Sequence, residues 1–347
     1  MEVGNMQKLS GEMSAKLANM SIVCAFMVVG IHIGTLPVTG ISDWILKFIG
    51  ANGILRVAVP FFFFASGFFC ANSYVSGRSY KYQVFRRCTT LLIPYICWNV
   101  IYMLFEWCVA SSAPVMSVEY VINMFGLNLM ERPIFGYLWF VRLLMILIVL
   151  SPIFYRVARS VFAVRLLPIG FVVAGVLFCP SAYSSKYYLM AEYAFCFEGV
   201  FLFYAGMCLR IRPIDMNIRL SKTFWLILGA GLWVARVLMV KLQFPLAAYW
   251  LSWLGIVVSI YALYLTVPDK PFPKFIIAEA FPLYLVHPFV VAILAGLIKA
   301  SGHREYILTS VTLFVVRSVL VVLVSFVAIK IGRKIMPRVA SVLFGGR

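Results

Sequence analysis

The chain has 347 residues, of which 63% are hydrophobic and 12% charged, with a mean hydropathy of +0.99. A soluble chain is about half apolar and a quarter charged, so water is excluded as the solvent for most of this surface. The net charge of +18 would suit a nucleic-acid binder only if the basic residues were clustered on one face.

About twenty apolar residues cross the hydrocarbon core as a helix. The apolar runs predict spans over roughly 18–38, 53–75, 89–110, 136–155, 163–179, 190–209, 223–240, 248–267, 276–296 and 306–330. The first reads as a retained helix, because no short apolar region with a small-residue cleavage site is present. The fifth is the shortest, edged by Arg165 and interrupted by Pro168. The chain reads as one domain: an N-terminal tail 1–17, a membrane bundle 18–330 and a basic C-terminal tail 331–347.

The charges orient this bundle. Lys47, Arg132, Lys186, Lys241, Lys299 and Arg304 fall in the segments on one side, and Arg56, Arg142, Arg236 and Arg317 fall within spans. The other twenty of the thirty basic residues occupy the alternate segments, such as Arg78, Lys81, Arg86 and Arg87 between the second and third spans. Cytoplasmic loops accumulate Lys and Arg. The alternation predicts an all-α polytopic integral membrane protein of about ten transmembrane helices with both termini cytoplasmic. Its positive charge encodes topology, and no nucleic-acid partner is expected.

Eight cysteines lie in or at the edges of apolar runs with no CxxC pair, and there are only three histidines. Neither a disulfide framework nor a metal site is expected.

Ionisable residues inside a span are costly and mark sites or pathways. Here they are His32, Arg56, Arg142, Glu192, Glu198, Arg236, Glu279, His287 and Arg317. At 1.5 Å per residue, His32 lies roughly 21 Å from the inner end of the first span and His287 roughly 17 Å along the ninth. Both are near the middle of the bilayer, and Arg317 is at similar depth. Arg56, Arg142, Glu198 and Arg236 lie in the outer half, Glu279 toward the inside. Imidazole takes and gives protons near neutrality, so two histidines at matching depth suit proton abstraction from a hydroxyl or a proton relay in a transporter.

The residues around these positions resemble membrane acyltransferase family 3. Met27-Val28-Val29-Gly30-Ile31-His32 resembles the end of its first helix, and Pro60-Phe61-Phe62-Phe63-Phe64-Ala65-Ser66-Gly67-Phe68-Phe69 its second. Arg86 and Arg87 before Ile93-Pro94-Tyr95 and Trp98 resemble its third; Leu138-Trp139-Phe140-Val141-Arg142 and Leu283-Tyr284-Leu285-Val286-His287 resemble later ones. The resemblance covers essentially the whole chain. It implies transfer of an acyl group, commonly acetyl, from cytoplasmic acyl-CoA as co-substrate to a hydroxyl of a glycan, glycolipid or other acceptor, in the bacterial inner membrane and without a bound cofactor.

The resemblance makes His32 the general base, with His287 beside it among the catalytic candidates. Arg142, or Tyr284 through its hydroxyl, would stabilise the oxyanion, and Trp139 and Tyr284 would wall the acceptor groove. Lys16, or the Arg86/Arg87 pair, would hold the CoA phosphates; Arg56, Glu198 and Arg317 complete the expected substrate-binding set. Ser21 stands where the family usually carries a basic residue, and Thr89 and Thr90 lie near the place of its second third-helix arginine. Two alternatives stay open: a proton-coupled transporter using His32, His287, Glu198 and Arg317, and a non-catalytic family member. A homo-oligomer is compatible with all three. Ser66-Gly67 reads as a place of close helix approach.

Overall fold

The computed structural model describes residues 10–33, 40–50, 53–109, 117–127, 135–160, 197–213, 220–300 and 311–346, and among these every regular element is helical. In chain order they are α1 (Gly11–His32), α2 (Gly40–Ile49), α3 (Ala58–Val75), α4 (Tyr80–Arg87), α5 (Ile93–Val109), α6 (Val118–Met124), α7 (Trp139–Val149) and α8 (Ser151–Ala158). Then follow α9 (Phe197–Ile211), α10 (Lys222–Lys241), α11 (Pro245–Thr266), α12 (Lys274–Ile277), α13 (Ala280–Ala300), α14 (Val311–Ile335) and α15 (Pro337–Leu343). Short 3₁₀ turns precede α3 (Ile54–Val57) and α7 (Gly136–Leu138), and a π-helical turn, Cys88–Leu92, joins α4 to α5.

Seven helices among the described residues are long and apolar enough to cross a membrane, eight if the bent pair α7–α8 is one span. Ten were expected. The fifth expected span, 163–179, and residues 190–196 of the sixth lie outside the described residues. The protein is a multi-pass membrane protein, all-helical among the described residues.

Local chemistry sets the boundaries, and several differ from those expected. Helix α1 starts at Gly11, inside the expected tail, because Ser10 caps it by accepting from the Met13 amide at 3.2 Å and Glu12 sits at its positive end. Ser79, Ser117 and Ser221 cap α4, α6 and α10 in the same way. At the other end, α14 runs to Ile335, and Pro337–Leu343 forms a further helix where a tail was expected. The span expected over 136–155 bends by 62° at Leu150, just before Pro152.

The contacts divide the described residues into two compact units. Among the described residues, the host unit falls within 9–62 and 216–337 and the inserted unit within 63–215 and 338–347. In the host unit, α1 packs on α13 and α14 through Ile22, Ala25, Val29, Leu283, Val291 and Val321. Helices α10 and α11 form a hairpin turned by Gln243 at φ 60° and joined inside by Trp233, whose indole donates to Ser259 at 3.0 Å.

In the inserted unit, α3 and α9 meet at reciprocal glycines. A Cβ on Gly67 would lie 1.8 Å from the Phe203 carbonyl oxygen, and one on Gly206 would lie 2.0 Å from that of Phe64. The small residues of Ser66-Gly67 thus permit backbone contact. The last residues join the same unit: the Trp98 indole donates to the Leu343 carbonyl at 3.0 Å, and its ring stacks on Phe344 at 6.3 Å.

Candidate active site

The first site lies within the host unit, where α1 ends. His32 occupies its last residue and His287 the second turn of α13. Although 255 residues apart, they touch: Nε2 of His287 lies 3.1 Å from Nδ1 of His32, and the ring centroids are 4.9 Å apart. His287 is fully buried, whereas His32 is partly exposed.

With both rings neutral, the neighbouring carbonyls assign the tautomers. Nδ1 of His287 lies 3.1 Å from the Leu283 oxygen. A carbonyl only accepts, so that nitrogen carries a proton and Nε2 of His287 carries a lone pair. Nδ1 of His32 faces both this lone pair and the Val28 carbonyl, 2.9 Å away. Both are acceptors, so Nδ1 of His32 is the donor. The basic lone pair of the couple therefore resides on Nε2 of His32.

Local sequence builds this arrangement. Pro288 has no N–H to give the Tyr284 carbonyl, which breaks the helical ladder one turn below His287. The Tyr284 ring lies 6.2 Å from that of His287 and stacks on Phe281 at 6.3 Å. Gly30 allows α1 to approach the turn before α3, with Leu55 against it; a Cβ there would lie 2.6 Å from a Leu55 methyl. Arg56 sits in that turn, partly buried, and Arg317 is buried on α14.

Lys16 lies at the opposite end of α1, 16 residues or about 24 Å from His32. Its ammonium pairs with Asp269 at 2.9 Å, with Glu12 at 3.7 Å, and sits over the Tyr264 ring at 4.7 Å. Ser21 donates to the Leu17 carbonyl of its own helix.

Two residues here were missed in the sequence. Asn19, fully buried, donates to the carbonyls of Pro268 and Lys270 at 3.0 and 2.9 Å and accepts from the Phe272 amide at 2.7 Å. It fastens the α11–α12 connection to α1. An amide inside a predicted span was the available signal. Asp269 was overlooked because topology was read from the basic residues alone.

The remaining candidates belong to the inserted unit. Trp139 packs near Phe63 at 6.1 Å, with Phe140 edge-on to Phe63 at 4.8 Å. Glu198 is partly buried at the start of α9. Arg86 is exposed on α4, whereas Arg87 is half-buried and turned into a groove of about 670 Å³ that it shares with Arg142. Arg142 is buried and donates to the Gly126 carbonyl at 3.1 Å. The expected set is thus divided between the units: His32, Tyr284, His287, Lys16, Arg56 and Arg317 in one, Arg86, Arg87, Trp139, Arg142 and Glu198 in the other.

The paired imidazoles lie within apolar helices of a multi-pass membrane protein. The family described as "Acyltransferase domain", acyltransferase family 3, matches residues 18–330. The chain belongs to that family and is a membrane acyltransferase. No curated protein and no solved structure matches it.

Proposed function

We propose that this protein is an O-acyltransferase of the bacterial inner membrane. It transfers an acyl group, acetyl in the simplest case, from cytoplasmic acyl-CoA to a hydroxyl of a surface glycan or lipid-linked sugar. The contact between His32 and His287 carries the reading, because it gives His32 a defined donor nitrogen and a defined basic one.

The acceptor hydroxyl loses its proton to Nε2 of His32 as its oxygen attacks the thioester carbonyl. His287 accepts the hydrogen bond from Nδ1 and steadies the imidazolium that forms. The tetrahedral oxyanion takes a hydrogen bond from the Tyr284 hydroxyl. Its collapse breaks the carbon–sulfur bond, and the proton returns from His32 to the CoA thiolate. Ester and CoA thiol are the products, with no net proton change. A positioned base contributes roughly 10²–10⁴-fold.

Ten helices with both termini cytoplasmic remain part of this reading, supported by the alternation of basic segments. That orientation puts Arg86 at the cytoplasmic surface, where its exposed guanidinium suits the CoA phosphates. Lys16, already compensated by Asp269, is the weaker donor ligand. Arg56 and Arg317 of the host unit are left to the acceptor.

The test is acetyl transfer from labelled acetyl-CoA to endogenous glycan in membranes carrying wild-type protein or His32→Ala. The variant is expected to accumulate in the membrane and transfer no label. Transfer near the wild-type rate would remove His32 from the mechanism.

A further inference from the structure

The groove in the inserted unit is not needed for the proton transfer described above. Its wall is almost wholly apolar, formed by residues such as Leu92, Ile96, Met145 and Ile146. Among the described residues its charged lining residues are Arg87 and Arg142, with no acidic residue among them. At about 670 Å³ it falls in the range of small-molecule sites, which are apolar with a few placed polar groups.

Three observations identify the occupant. First, the edges are apolar and open: Leu127 is 69% exposed and Val149 55%. In a bilayer such edges face hydrocarbon, so a lipid chain enters sideways without crossing water. Second, Arg87 makes no ion pair with any carboxylate among the described residues. A guanidinium half-buried among apolar side chains calls for an anion, and phosphate suits its fork. Third, Arg87 immediately precedes the π-turn Cys88–Leu92, and such turns widen a helix and recur at functional sites. The groove extends along α7 from Arg142 to Leu150, eight residues or about 12 Å, enough for part of a hydrocarbon chain.

We propose that this groove binds an anionic lipid, with one chain along α7 and the headgroup phosphate on Arg87. The site concerns lipid recognition and does not rest on the acyl-transfer reading.

Native mass spectrometry of the full-length protein, released from detergent micelles doped with phosphatidylglycerol or phosphatidylcholine of identical chains, tests it. One phosphatidylglycerol should be retained preferentially. Arg87→Gln should reduce retention roughly tenfold, as expected for losing a hydrogen bond to a charged group, and Arg87→Lys should restore part of it. Ile146→Trp, which fills the groove, should displace the lipid, while Lys81→Gln, exposed on the same helix, should change nothing. Equal retention of the two lipids overturns the proposal, as does retention unaffected by Arg87→Gln. So does selective loading with palmitoyl-CoA in place of phosphatidylglycerol, which would assign the groove to the acyl donor. Since the readout is a bound mass, failure here leaves the His32 assay untouched.

Discussion

Nε2 of His287 accepts from Nδ1 of His32 across 3.1 Å, and each imidazole is also anchored to the carbonyl four residues before it in its own helix. Two backbone acceptors and one ring-to-ring bond thus set the orientation of the base before any substrate arrives.

Removing the second ring should therefore slow chemistry more than it weakens binding. His287→Phe is expected to lower kcat about 10²-fold, within the range of general-base effects, with KM for acyl-CoA little changed. His287→Gln, which retains an acceptor, should lie between that variant and wild type. Steady-state transfer assays on membranes check both, and a His287→Phe enzyme of normal kcat would end the positioning role.

The same pair gives the reaction an acid limb. A proton on Nε2 of His32 removes the lone pair that receives the acceptor's hydrogen. Transfer should accordingly fall as pH is lowered and level off on the alkaline side. A kcat/KM profile for wild type and His287→Phe reads this directly. A flat profile in both would place the base elsewhere.

Much of this architecture was legible in the sequence because the bilayer imposes it. Apolar length located α1, α3, α5, α10, α11, α13 and α14, and helical rise placed His32 and His287 at one depth. Their contact was not legible, since depth restricts one coordinate and says nothing about which helices are neighbours. The start of α1 was misplaced because Lys16 looks like a tail residue until Asp269 satisfies it. The bend at Leu150 and the π-turn at Cys88–Leu92 arise within or beside apolar runs, where hydropathy is blind to backbone geometry.

The glycines of α3 and α9 supply a stability test. Gly67→Ala places a methyl where the Phe203 carbonyl now lies, so the helices must separate, at a cost of about 1–3 kcal/mol. Gly231→Ala, with nothing within 4 Å of its Cβ, should be neutral or slightly stabilising. Thermal unfolding in detergent compares them, and equal midpoints would contradict the backbone contact.

Asn19 offers a second one. Asn19→Ala leaves the Pro268 and Lys270 carbonyls and the Phe272 amide without their side-chain partner, worth about 1–3 kcal/mol for each buried group left unsatisfied. Asn19→Asp keeps an acceptor but loses both donors, and should not rescue. An unchanged unfolding midpoint in either variant would show that the α11–α12 connection is held by other contacts.

Glu279, 2% exposed, is bound by Arg333 of α14. Arg333→Met strands a buried carboxylate, expected to cost about 3–5 kcal/mol, whereas adding Glu279→Gln should recover most of that loss. A double-mutant cycle on thermal stability reports the coupling, and additive losses would mean that the two side chains act separately.

The seating of Leu343 and Phe344 on Trp98 has a consequence for biogenesis. The two halves of that contact are separated by 245 positions, and the chain leaves the inserted unit at residue 215 only to return to it at 338. The wall around Trp98 therefore stays unfinished while the last host helices are synthesised. The inserted unit, though most of it emerges from the ribosome earlier, is the last to close.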